Sequence, residues 1–163
     1  MTTARKDLLV LGVGNPLRGD DGVGIELVRR LRAHFGPSLN CKELLAPDVI
    51  LAERIAAFDH LLIIDALAEA QKDPYRLVAL APAKTFMPAG CMVSHCFDWP
   101  AILALAEELY GHAPKTQVLG IAARRFEFSE SMSSLCQKNA DSAFDFLVSY
   151  CEAGQRPSSE KNS

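Results

Sequence analysis

The segment 8–24, with the sequence LLVLGVGNPLRGDDGVG, constrains the fold of this chain more than any other. An apolar run leads into a glycine-rich turn, and two adjacent carboxylates, Asp20 and Asp21, precede an amphipathic stretch. This order predicts a buried strand, a tight turn and the start of a helix, because glycine lets the backbone turn sharply and approach a neighbour closely. Two acids at such a turn favour a cation over a phosphate.

Dinucleotide binding is the obvious alternative for this segment. A G-x-G-x-x-G fingerprint would begin at Gly12 and Gly14, but its third glycine would fall at Leu17. The fingerprint also needs a helix N-terminus without competing anions, and here Asp20 and Asp21 stand where the pyrophosphate would bind. The segment therefore indicates a metal or acid–base site rather than a nucleotide site.

Strand and helix patterns alternate along the rest of the chain. The predicted strands are 7–14, 38–45, 60–66, 76–81 and 116–123, and the predicted helices are 22–35, 47–58, 98–110 and 131–151. Only about nine residues separate the third strand from the fourth, too few for a parallel crossover, so we expect the fourth strand to run antiparallel at an edge. The pattern is typical of an α/β fold with a mostly parallel sheet.

Composition limits the class of protein. With 163 residues, 49% of them hydrophobic, and a net charge of −3, the chain fits one enzyme domain without the basic surface that nucleic acid requires. We find no signal peptide and no apolar run near the ~20 residues of a membrane span, so we expect a cytoplasmic monomer. The domain is predicted at 1–152, followed by a polar, disordered tail at 153–163. The five cysteines form no C-x-x-C pair and are expected to be reduced and packed as small hydrophobes.

Two aspartates are expected to meet at one edge of the sheet. We assign Asp20 to the turn or to the cap of the first helix, which leaves Asp21 facing a crevice. Asp65 follows four large aliphatic residues at the end of the third strand. Ligands of open α/β sheets bind beyond the carboxyl ends of the strands. If the first and third strands are neighbours, Asp21 and Asp65 share a crevice, where a cation or a histidine would relieve their repulsion.

His95 is the histidine best placed to join the two aspartates. It lies in the long segment 83–96, which can reach back to the crevice, and an Asp, Asp, His set suits a transition metal. Cys91, His95 and Cys96 could instead form a small zinc or copper site, although a second pair of ligands is missing. The other histidines are predicted to lie at helix ends or at the opposite edge of the sheet: His34, His60 and His112.

Three segments carry a resemblance to a known family: residues 12–24, residues 62–66 (LIIDA) and the pair Ser94-His95. In this order and spacing they resemble the hydrogenase maturation endopeptidases, which trim the C-terminal extension from the large subunit of nickel–iron hydrogenases. The resemblance runs from residue 8 to residue 150. It implies a three-layer α/β/α sandwich with a twisted five-stranded sheet.

The same resemblance implies an aspartyl-type endopeptidase in which Asp21, Asp65 and His95 contact nickel. This nickel arrives with the hydrogenase large-subunit precursor and marks it as loaded, so neither a resident zinc nor an organic cofactor is expected. Residues 44–48 (LLAPD) depart from the glycine-rich stretch that many members carry there. The departure points to a subgroup with a different hydrogenase partner.

Two other functions compete with this one. A noncatalytic nickel-sensing or chaperone module would bind the precursor through the same three residues without cutting it. Peptidyl-tRNA hydrolases also carry Gly-x-Gly-Asn-Pro after a strand, but an acid pair without a basic patch would repel RNA phosphates. The chain has no G-x-S-x-G elbow, and no cysteine carries a nucleophile motif.

Overall fold

The structure is a computed structural model that describes residues 6–68, 72–84 and 98–154. Its five-stranded sheet has the order β2-β1-β3-β5-β4. The elements are β1 (Lys6–Val13), α1 (Val23–Phe35), β2 (Asn40–Leu44), α2 (Leu51–Ala56), β3 (Phe58–Leu67), β4 (Tyr75–Leu80), α3 (Trp99–Tyr110), β5 (Lys115–Ala122) and α4 (Ser134–Gly154). Four strands run parallel, and β4 pairs antiparallel with β5 at the edge. The predicted mostly parallel sheet with one antiparallel edge strand is confirmed.

Helices cover both faces of the sheet. α1 and α4 pack on one face, over buried side chains that include Val10, Leu62 and Leu119. α2 and α3 pack on the other face, over Leu11 and Ile63. Because β1 and β3 are buried on both faces, their sequences read as continuous apolar runs rather than as alternating ones. The three-layer α/β/α sandwich is confirmed.

Close backbone contacts join the start of α1 to the sheet. A Cβ added to Gly12 in β1 would overlap the carbonyl oxygen of Gly24 in α1. A Cβ added to Gly24 would overlap the carbonyl oxygen of Ile64 in β3. Side chains at these positions would force α1 away from β1 and β3. The glycines of the opening segment therefore allow close backbone packing, as the sequence predicts.

The second helix is shorter than predicted. α2 begins at Leu51 rather than at Pro47. Asp48 accepts the backbone N–H of Ile50 at 3.2 Å, and this local turn competes with helix formation at the predicted start. Pro47 therefore precedes this turn and does not open α2.

The last helix has the predicted length but lies three residues later, at Ser134–Gly154 rather than at 131–151. Its final turn therefore includes residues 152–154. A Cβ added to Gly154 would lie 2.9 Å from the Leu8 side chain, which shows how closely this turn packs on β1. In the part of the chain that the structure describes, neither α4 nor any other helix has the length and apolar character needed to cross a membrane.

Two cysteines lie in the core as predicted. Cys136 and Cys151 are fully buried and free, and burial raises the pKa of each thiol to about 12. Both therefore stay protonated and pack as small hydrophobes at physiological pH. Cys91, Cys96 and the alternative metal site that they would form with His95 lie outside the described residues.

Candidate functional site

The candidate site lies where the connections from two neighbouring strands diverge. β1 and β3 are adjacent and parallel, and their last paired residues are Gly12 and Ile64. The chain leaves β1 toward β2 on one side and leaves β3 toward β4 on the other. In open α/β sheets, ligands bind in the crevice that such a divergence creates. Asp65 lies at this crevice, one residue beyond the last β1 pair.

Asp65 lies inside its strand rather than at the strand end that the sequence indicated. β3 continues along β5 to Leu67, with Asp65 paired to Gly120. Because the pairing of β1 with β3 ends at Ile64, Asp65 has a paired neighbour in β5 but none in β1. Its side chain is therefore partly buried but still reaches the crevice.

Asp21 approaches the same crevice from β1. It is partly buried in a 3-10 helix, Gly19–Gly22, that joins β1 to α1. Its carboxylate accepts the backbone N–H of Asn15 at 2.9 Å, which holds the side chain against the turn. Gly14 has a φ of 139°, and a Cβ there would overlap the carbonyl oxygen of Asp21. A side chain at position 14 would therefore displace Asp21.

The two carboxyl groups lie within range of each other's charge. The pKa of Asp65 is raised to about 6, mainly by burial and further by the negative charge of Asp21, while the backbone N–H of Ala66 partly offsets the rise. The N–H of Ala66 lies 2.8 Å from Oδ1 of Asp65. Two carboxylates that repel each other in this way favour a cation or a proton between them. The structure thus brings Asp21 and Asp65 together.

Asp65 is expected to make the stability of the fold depend on pH. Its pKa of about 6 in the folded chain exceeds the ordinary 3.8, so the folded state binds the proton more tightly than the unfolded state. The contribution of this group to the free energy of unfolding is greatest below about pH 4 and is lost as the pH rises through about 6.

Urea titrations between about pH 4 and pH 7 should show this decline in the wild type and a weaker one in Asp65→Asn. Asp145→Asn, at an exposed position on α4, is the matched control. If Asp65→Asn shows the same decline as the wild type, the titration belongs to another group.

Asp20 has a structural role that the sequence does not reveal. It is fully buried in the Gly19–Gly22 turn, and no side chain caps the start of α1. Of the two predicted roles of Asp20, turn or cap, the turn agrees with the structure and the cap is wrong. Its carboxylate accepts the backbone N–H groups of Arg124 and Arg125, both at 2.9 Å, and the N–H and hydroxyl of Ser133 at 2.6 and 2.8 Å. Burial alone would raise the pKa of Asp20, but these hydrogen bonds together lower it below its ordinary value.

Ser133 extends this connection to α4. While its hydroxyl donates to Asp20, its Oγ accepts the backbone N–H of Cys136 at 3.2 Å and caps the helix. The 3-10 helix that carries Asp21 is thereby tied to the segment after β5 and to the start of α4. The partners lie 104 to 113 residues from Asp20, and they contribute mainly backbone N–H groups, so no local sequence pattern marks them.

His95, the third predicted residue of the site, lies outside the described residues. Within 6–68, 72–84 and 98–154, no three His, Cys, Asp or Glu side chains are placed to hold a metal ion together. His112, predicted to be a capping or surface residue, is partly buried, and its Nε2 donates to the carbonyl oxygen of Phe58 at 2.8 Å. It ties the α3–β5 connection to the start of β3, far from the crevice.

Solved structures share this architecture. The hydrogenase maturating endopeptidase HybD from E. coli superposes with a TM-score of 0.70 at 20% identity, covering 90% of this chain and 92% of its own. The chain has the fold of the hydrogenase maturation endopeptidases. The [NiFe] hydrogenase maturation protease HycI from Thermococcus kodakarensis gives a TM-score of 0.63 at 22% identity, with 91% and 92% covered. The fold implied by the resemblance is confirmed.

Sequence similarity to curated proteins is confined to a short stretch. A protein of Methanocaldococcus jannaschii named "Putative hydrogenase maturation protease" is 52% identical over 31 residues, which are 19% of this chain and 18% of that protein. No protein-family model matches the chain. The likeness to solved structures establishes the fold alone.

Proposed function

We propose that this chain is an endopeptidase that removes the C-terminal extension of a nickel–iron hydrogenase large-subunit precursor after nickel insertion. The observation that carries the proposal is the pair of carboxylates in the crevice between β1 and β3, where the negative charge of Asp21 raises the pKa of Asp65. The fold shared with HybD and the short match to the M. jannaschii protein support it. We place the enzyme in the cytoplasm as a monomer.

The site would recognise nickel that the precursor carries. In the proposal, Asp21, Asp65 and His95 contact this ion, since carboxylates and imidazole are both accepted as nickel ligands. With a pKa of about 6, Asp65 is mostly ionised at neutral pH, when the repulsion between the two carboxylates is strongest. A divalent ion brought by the substrate relieves that repulsion, so a loaded precursor binds better than an empty one.

Contact through the metal would also position the peptide bond that is cut. A substrate held at two points, by its nickel and by its peptide chain, reacts in a fixed geometry rather than through random encounters. Asp65 exchanges its proton near neutral pH, which is the property that general acid–base catalysis needs. The pair Asp21 and Asp65 thus combines recognition with a group able to move a proton.

The proposal is tested by incubating the chain with nickel-loaded precursor and following the mass of the precursor. We expect one cleavage near the C-terminus, with release of a single peptide that mass spectrometry identifies. A stable complex with the precursor intact would contradict the protease function. That result would favour the alternative, a noncatalytic nickel-sensing or chaperone module that binds through the same residues.

A further inference from the structure

A second surface lies beside the crevice, where two segments from the same sheet edge pair with each other. Residues 123–133 follow β5 and fold against the turn that follows β1. The N–H of Ser129 donates to the carbonyl oxygen of Leu17 at 2.8 Å, and the N–H of Gly19 donates to that of Ser129 at 2.7 Å. Arg18 and Ser129 form an isolated parallel bridge. Because β1, β3 and β5 are parallel, this surface and the candidate site share the carboxyl edge of the sheet.

The side chains on this surface are of the kind that protein interfaces use. Leu17 is 46% exposed and Phe128 is 84% exposed. Arg18, Arg124 and Arg125 are also exposed, and within the described ranges their guanidinium groups form no ion pair. Aromatic residues and arginines are enriched at the centres of protein interfaces and carry much of the binding energy there. A large apolar side chain as exposed as Phe128 contributes little to the core.

Hydrogen bonds hold this surface in place before any partner binds. On the buried side of this surface, the carboxylate of Asp20 binds the backbone N–H groups of Arg124 and Arg125 and does not engage their guanidinium groups. From the outside, Nε of Arg18 donates to the carbonyl oxygen of Phe126 at 3.3 Å. A preorganised segment loses less conformational entropy on binding than a flexible one. The structure therefore fixes the backbone that carries Phe128, Arg124 and Arg125.

We propose that Leu17, Phe128 and the three arginines form a docking surface for the body of the large-subunit precursor. The inference rests on the proposed function. The surface includes the residues that lead directly into the Gly19–Gly22 helix, which carries Asp21. A precursor bound with its cleavage site next to Asp21 would therefore cover this surface. Guanidinium groups that form no ion pair within the described ranges, set around an apolar centre, fit a partner face with an apolar patch bordered by carboxylates.

The double variant Leu17→Ser/Phe128→Ser tests this surface. Because both anchors are lost while the site residues are kept, KM for the nickel-loaded precursor should rise at least about tenfold with kcat nearly unchanged. Leu109→Ser is the matched control, since Leu109 is 61% exposed near the end of α3 that leads into β5, at the opposite edge of the sheet. Circular dichroism and urea unfolding check that all variants fold.

The outcomes separate the docking surface from the activity. A double variant that matches Leu109→Ser in KM and in precursor affinity would overturn the surface and leave the proposed function standing. If the wild type binds the precursor without cutting it, only the activity fails, and the double variant should still lose about tenfold in affinity by titration calorimetry. If the wild type neither binds nor cuts, both proposals fail.

A wild-type dimer that the double variant abolishes in sedimentation experiments would assign the surface to a second copy of this chain and overturn the inference.

Discussion

Asp21→Ala is expected to abolish processing of the nickel-loaded precursor, with a fall in kcat/KM of more than about 100-fold. The side chain is only partly buried, and within the described part of the chain it accepts one hydrogen bond, from the N–H of Asn15. Loss of this side chain should therefore lower the free energy of unfolding by only about 1 kcal/mol. His95→Ala should have the same effect on activity if this histidine completes the set. A mass-resolved cleavage assay measures both variants.

The matched control for these variants is Asp145→Ala, which removes an exposed carboxylate on α4 without approaching the crevice. It should cleave the precursor at the wild-type rate. A second readout follows from the charge of Asp21, which raises the pKa of Asp65. In Asp21→Ala the pKa of Asp65 should therefore fall when it is measured by NMR titration. Full activity in Asp21→Ala would show that this carboxylate has no part in the reaction.

Asp20→Ala is expected to have the largest effect on stability, a loss of about 3–5 kcal/mol in the free energy of unfolding. The substitution leaves the N–H groups of Arg124, Arg125 and Ser133 and the Ser133 hydroxyl without their acceptor. Domains of this size are stable by only about 5–15 kcal/mol, so the variant would be close to unfolding. Urea unfolding at neutral pH measures the loss.

The pH dependence of this effect has a defined sign. The pKa of Asp20 is lowered in the folded chain, so its stabilising contribution is present above the ordinary value of 3.8 and is lost as the pH falls below it. Asp20→Ala should therefore be less sensitive to acid than the wild type, although it is less stable at neutral pH. Asp21→Ala is the neighbouring control. If Asp20→Ala costs no more stability than Asp21→Ala, the buried network does not contribute as its geometry indicates.

The architecture could be predicted because it depends on patterns that are local in the sequence. The apolar runs of β1 and β3 reflect burial on both faces, and the short connection to β4 excludes a parallel crossover. The α2 boundary could not be predicted in the same way. There the competing turn at Asp48 depends on one hydrogen bond to Ile50 rather than on a periodic pattern.

The candidate site could be predicted only in part. The meeting of Asp21 and Asp65 required β1 and β3 to be neighbours, which the sequence could only assume and the strand order supplies. The role of Asp20 was missed because its partners are distant backbone N–H groups, which a residue of almost any type could provide. The place of His95 in the site stays a prediction.

We propose that Asp21, Asp65 and His95 recognise nickel carried by the substrate. The most direct test compares cleavage of nickel-loaded and nickel-free precursor by the wild-type chain under the same conditions. We expect the loaded precursor to lose its C-terminal extension while the nickel-free precursor stays intact. Cleavage of both forms at equal rates would contradict nickel recognition at this crevice.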